Sequence, residues 1–120
     1  MSFPEEADKI TRLAGTLRLS LADEKQLQAQ LGQALAASGI DHTPEYRLGE
    51  TDRVDFFLPS GLGIECKLRG GKSSIYRQLR RYAGSPKIKA LLLITNTAMG
   101  LPESISGKPV YYCSLGSAWL

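Results

Sequence analysis

The chain has one histidine, two cysteines and one tryptophan, and its longest apolar run, Ala90–Ile94, is five residues long. A membrane-spanning helix needs ~20 such residues, so no span is expected. The first residues carry Pro4, Glu5, Glu6 and Asp8 where a secretory signal would carry a basic segment and an apolar stretch. No signal peptide is therefore expected, and the expectation is a cytoplasmic protein without a membrane partner. Two cysteines and a histidine far apart in sequence make no zinc pattern. Cys66 and Cys113 both fall in expected strands, where they read as small buried hydrophobes in a reducing compartment. Acids are missing from the whole stretch between Glu65 and Glu103.

What fills that stretch is positive charge. Lys67, Arg69, Lys72, Arg77, Arg80, Arg81, Lys87 and Lys89 are eight of the chain's 15 lysines and arginines, on a net charge of only +3. So uneven a distribution suggests a surface that faces a polyanion; an ordinary solvated helix face has the same composition. The 120 residues, 42% of them hydrophobic, suit one globular domain with a modest core. We divide it into a lead-in (1–19), a core (20–96) and a C-terminal strand and tail (97–120).

Periodicity and punctuation predict the elements. A short helix is expected around Glu5–Leu17. Ser20 suits an N-cap, with Asp23 and Glu24 in the first turn and Leu21, Leu27, Leu31 and Leu35 on one stripe, ending at Ser38–Gly39. Strands are expected at Glu45–Leu48, Arg53–Leu58 and Leu62–Leu68. A helix capped by Ser73 or Ser74 runs to Ala83 and stops at Gly84 and Pro86. Ile88–Thr95 reads as a strand buried on both faces, and Val110–Cys113 as the last strand. The fold class is α/β (α+β mixed): an antiparallel three-strand meander, a helical crossover to a parallel strand, and a central mixed sheet flanked by helices, in the order α-β-β-β-α-β-β.

The hairpin between the second and third strands carries the chemistry. Pro59 presets the first central position of a type I turn, and Gly61 suits the left-handed residue that closes a three-residue loop. That loop pairs Leu58 with Leu62, Phe56 with Ile64, Asp55 with Glu65 and Arg53 with Lys67. Opposed side chains lie only about 5 Å apart at Cβ, so two carboxylates meet. Their repulsion is relieved by a raised pKa on one or by a divalent cation between them, with oxygen ligands of the kind Mg²⁺ prefers. Lys67 then stands beside a phosphate or an activated water. An exposed, self-compensating charge cluster is the plainer reading of the same residues.

Asp55, nine intervening residues, then Glu65-Cys66-Lys67 resembles the PD-(D/E)xK nuclease superfamily, the restriction-endonuclease-like fold, over about Leu21–Asn96. The resemblance implies hydrolysis of nucleic acid dependent on Mg²⁺, with Mn²⁺ able to substitute. It implies that Asp55, Glu65 and the main-chain carbonyl of Cys66 bind metal, that Lys67 is the catalytic lysine, and that Glu24, or Asp23 beside it, is the acid the family carries on its first helix. Gln78-Leu79-Arg80-Arg81-Tyr82 is similar to the QxxxY pattern of the RecB-like branch, whose residues contact substrate or the lysine. Val54 replaces the proline of the family pattern. Arg53 is expected to contact phosphate or to pair with Glu45 or Glu65, and Arg69, Lys72, Arg77 and Arg81 to hold the DNA backbone. Glu45 reads as a further acid near the site or, more ordinarily, as a strand-edge charge, and His42 as a solvated loop residue. Tyr111, Tyr112 and Trp119 suit base stacking or, more ordinarily, a packed or dimer-forming C-terminal segment. A domain this small has little room for a sequence reader, so structure- or end-directed cleavage of DNA is expected over site-specific restriction. A homodimer would bring two sites to two strands. A non-catalytic nucleic-acid-binding or assembly module on the same fold is the alternative.

Overall fold

Ser2 opens the first helix with a capping box: its hydroxyl accepts the Glu5 N–H while the Glu5 carboxylate accepts the Ser2 N–H. With Pro4 in the first turn, this starts α1 (Phe3–Gly15) two residues before the expected boundary. The computed structural model describes residues 1–115; Trp119 and the rest of the tail lie outside the described residues. After α1 come α2 (Glu24–Ala37), β1 (Thr43–Arg47), β2 (Arg53–Phe57), β3 (Leu62–Lys67), α3 (Lys72–Ala83), β4 (Ala90–Thr95), β5 (Ser104–Ile105) and β6 (Lys108–Ser114).

Two caps differ from expectation. Asp23, not Ser20, caps α2, accepting the N–H groups of Lys25 and Gln26. Ser20 instead holds the turn before it, through Ala22 and Asp23, and Leu21 is left exposed outside the helix. Gly71, not Ser73 or Ser74, stands at the N-cap of α3. The short strand β5 is additional to the expected set. It pairs with β6 across Ser106-Gly107, both at positive φ (52° and 77°), as a two-residue turn that matches strand twist requires.

The six strands form one mixed sheet in the order β1-β2-β3-β4-β6-β5. β1, β2 and β3 are antiparallel neighbours, and β4 lies parallel to both β3 and β6. α1 and α2 cover one face, where Ile10, Leu27, Leu31 and Leu35 pack on Phe56, Ile64, Leu92 and Ile94. α3 covers the other with Ile75, Leu79 and Tyr82 on Val54, Leu91, Leu93 and Val110. β4 thus feeds alternate side chains into both layers, as its continuous apolar run implies. The result is a compact mixed α/β domain.

The Pro59–Gly61 loop closes as its residues dictate. Leu58 and Gly61 N–H groups donate to the Leu62 and Leu58 carbonyls, Gly61 has φ 96°, and Phe56 faces Ile64. Alternation then fails at one place. Val54 packs in the α3 layer and Phe56 in the α1/α2 layer, although strict alternation puts both on one face. The break falls at Asp55, opposite Glu45, whose φ is 47°. The β1–β2 ladder registers Pro44↔Phe56 and Tyr46↔Val54 and skips the pair between them.

Gly61 bears directly on this geometry. A Cβ there would lie 2.8 Å from the Cβ of Lys89, on a backbone already at positive φ. Gly61→Ala should destabilise the domain by about 1–2 kcal/mol or more, read as a lower midpoint in urea unfolding at unchanged slope.

Candidate functional site

The β2–β3 ladder is registered at Phe56↔Ile64 and Phe57↔Gly63, and toward Lys67 the strands part. In that gap the carboxylates replace carbonyls as acceptors. The Asp55 N–H donates to Glu65 Oε1 at 3.2 Å, and the Cys66 N–H donates to Asp55 Oδ2 at 2.8 Å. The two acids therefore clamp each other's strands reciprocally. In an extended strand the N–H and C=O of one residue point to the same side, so the Cys66 carbonyl faces this gap as well.

Glu65 is 3% exposed, and Asp55 is half-buried. Burial, then the neighbouring Asp55 charge, lifts the Glu65 carboxyl to about 8. Burial is also the main force raising Asp55, to about 6; the Cys66 N–H and the Lys67 ammonium act against it. Lys67 Nζ lies 3.4 Å from Glu65 Oε2. From α3, the Tyr82 hydroxyl donates its one proton to the Arg53 carbonyl at 2.8 Å, leaving its oxygen 3.3 Å from Glu65 Oε2. A protonated Glu65 completes that contact as donor. From the opposite layer, Glu24 begins α2 and accepts the Leu68 N–H at 2.9 Å, tying α2 to the end of β3.

The expected residues are thus partly gathered. Asp55, Glu65, Lys67, the Cys66 main chain and Tyr82 meet in the gap, with Glu24 at its edge. Gln78 is half-buried one turn before Tyr82; of this pair only Tyr82 has a hydrogen bond into the site among the described residues. Arg53 takes one of its expected partners: its guanidinium lies 3.9 Å from Glu45. Glu45 lies near enough to the site that its charge adds a small upward push to Asp55. Arg69, with Nη2 3.5 Å from the Ala22 carbonyl, lines an open groove of about 580 Å³ with Lys67, Lys25, Asp23 and Glu24. Lys72 is exposed in the first turn of α3. Arg77 and Arg81 line a separate concavity with Arg80, and Arg81 is tied to Asp52 at 3.2 Å. His42 is half-buried, edge-on to Phe56 rather than solvated. Tyr112 is exposed and donates to the Thr97 carbonyl, while Tyr111 packs against the core.

Among the described residues no three acidic, histidine or cysteine side chains converge in metal-ligand geometry. The donors in the gap are two carboxylates and a main-chain carbonyl. These are all hard oxygens, and they suit Mg²⁺ or Mn²⁺ completed by water. No helix among the described residues is long and apolar enough to cross a membrane. No protein-family model, curated protein or solved structure matches this chain.

The raised carboxyls fix a sign for pH dependence. The folded state keeps protons that the unfolded chain, with carboxyls at 3.8 and 4.5, releases. Their contribution to stability is fully present below those values and is lost as pH rises through about 6 and about 8. In EDTA, the melting temperature of the wild type should fall from about pH 5 to about pH 9 more steeply than that of Glu65→Gln; parallel profiles would contradict the assignment.

Proposed function

We propose that this chain is a restriction-endonuclease-like, metal-dependent nuclease that hydrolyses DNA phosphodiester bonds. One observation carries the reading: a carboxylate pair, one member buried and one half-buried, held where two strands part, with an ammonium 3.4 Å from one of its oxygens. Asp55, Glu65 and the Cys66 carbonyl would hold the cation. When bound, it polarises the phosphate and acidifies water. The chain's own groups do the rest. Lys67 stabilises negative charge on the phosphate oxygens as the new P–O bond to water forms and the bond to the leaving sugar oxygen breaks. Water's proton is released, and the leaving oxygen takes one up. Tyr82 and the Arg53 carbonyl fix the Glu65 side of the pair, and Glu24 fixes the end of β3 beyond Lys67. Arg69, Lys72, Arg77 and Arg80 supply positive charge for the backbone of the strand.

One feature favours the alternative, a nucleic-acid-binding module without chemistry: each carboxylate already accepts a main-chain N–H, which a purely structural role would also require. The two readings separate by experiment. The nuclease reading expects Mg²⁺- or Mn²⁺-dependent cleavage of plasmid or branched DNA. It also expects cleavage to fall by at least about 100-fold in Asp55→Asn, Glu65→Gln and Lys67→Ala, each with DNA affinity retained. Salt-sensitive DNA binding without cleavage in any divalent cation selects the module. Cleavage unchanged in all three variants overturns the mechanism. In either case Arg77→Ala/Arg80→Ala should weaken DNA binding and flatten its salt dependence, by roughly one unit of slope for each phosphate the arginines neutralise.

A further inference from the structure

A second groove, of about 690 Å³, lies between α2 and the β1–β2 edge. Lys25 lines both this groove and the one that holds Lys67 and Arg69, so the two are neighbours at that side chain. Glu45, on the β1 side, lines it as well and acts on Asp55. The rest of the lining differs in character. Ala29, Gly32 and Ala36 leave the α2 side low, while Gln28, Gln33 and His42 offer amide and imidazole groups. Gly32 stands in the middle of a helix, where glycine costs about 1 kcal/mol relative to alanine. A Cβ at that position would meet the Phe56 ring at 3.3 Å, so the helix lies close over β2 at this point.

We infer that this groove is a subsite for unpaired nucleotides adjoining the scissile phosphate, which makes single-stranded or flap-bearing DNA the substrate class. The inference rests on the nuclease reading for its link to cleavage; the binding it describes can be measured separately. Charge separates the two grooves. The Lys67 groove has three cations, Lys25, Lys67 and Arg69, for a phosphate, beside two acids, Asp23 and Glu24, that accept main-chain N–H groups. The α2–β1 groove has one lysine and one glutamate among amide, imidazole and apolar groups, which suits base edges rather than backbone. Its volume lies in the range of small-ligand sites, ~300–1,000 Å³, with room for about one or two nucleotides and none for a duplex. Bases reach such a site only when unstacked.

Ala29 is exposed on α2, so Ala29→Trp fills the groove without burdening the core. The probe is a single-stranded oligonucleotide carrying 2-aminopurine, titrated in EDTA against Lys67→Ala with and without Ala29→Trp. The subsite predicts affinity about tenfold weaker with tryptophan present, and flap cleavage by the single variant Ala29→Trp down by a similar factor, with blunt-duplex binding unchanged. Gln28→Ala/Gln33→Ala tests the same surface without added bulk and should weaken single-strand affinity in the same direction. Unchanged single-strand affinity in both variants overturns the inference, even where the wild type cleaves DNA. Weakened affinity in a protein that cleaves nothing upholds the subsite and removes the nuclease reading instead.

Discussion

The fold and the candidate chemistry depend on the same pair of hydrogen bonds. Where β2 and β3 part, the N–H groups of Asp55 and Cys66 are left without ladder acceptors. A buried N–H without a partner costs about as much as a whole hydrogen bond, so something must replace the carbonyls. The Asp55 and Glu65 carboxylates do so, each reaching to the other's strand. That arrangement draws two acids into a space with little water, and their raised proton affinities are its direct consequence. The acids hold the parted strands, and the parting gives the acids their setting.

The surrounding elements serve this gap from both faces. α2 arrives from one side and Glu24 secures the backbone just beyond Lys67; α3 arrives from the other and its Tyr82 reaches Glu65. The same side chain that completes the α3 core layer therefore also bounds the site. The acid-free stretch from Cys66 to Pro102 places the whole of α3 and the end of β3 in a positive field. Among the α3 arginines, Arg81 is the one discharged by a close ion pair within the described residues, with Asp52. Glu45, on the far side of Asp55, contributes charge of the opposite sign and is partly offset by Arg53.

How far these features are legible in the sequence follows from the range of the interactions that set them. Pro59 and Gly61 act within three residues, and their turn chemistry determines both the loop and the pairing of Phe56 with Ile64. The i, i+4 spacing of Gln78 and Tyr82 is equally local, although only the tyrosine reaches the acids. The Ser2–Glu5 capping box and the Ser106-Gly107 turn are local signals too, sufficient to locate the start of α1 and the β5–β6 hairpin, yet periodicity and strand propensity alone do not register them. The cap of α2 is ambiguous because Ser20 and Asp23 are both good N-caps; Leu19 packing into the core, with Leu21 left outside, decides it. The break in alternation at Asp55 has no local signature. Arg53–Phe57 reads as a regular strand, and the irregularity appears only with Glu45 opposite and the gap to β3 beside it. The sequence leaves Arg53 a choice between phosphate, Glu45 and Glu65, and the folded chain pairs it with Glu45.

That break weighs on the choice between chemistry and plain binding. A surface that only holds DNA is made stronger by each acid removed from it, because phosphate is repelled by carboxylate. Here Glu45 and Glu65 both act on or beside Asp55 at the edge of the most cationic part of the chain, and Glu65 is almost wholly buried. As hydrogen-bond acceptors for two N–H groups, neutral Asn and Gln would do as well and would avoid the desolvation that lifts both acids. The charges are therefore in excess of what the fold requires and adverse to what a binding surface requires. On the proposed reading, a cation brought between Asp55 and Glu65 would answer both objections: it would compensate the buried charge and turn a repulsive spot into one that attracts phosphate, beside an ammonium already in place.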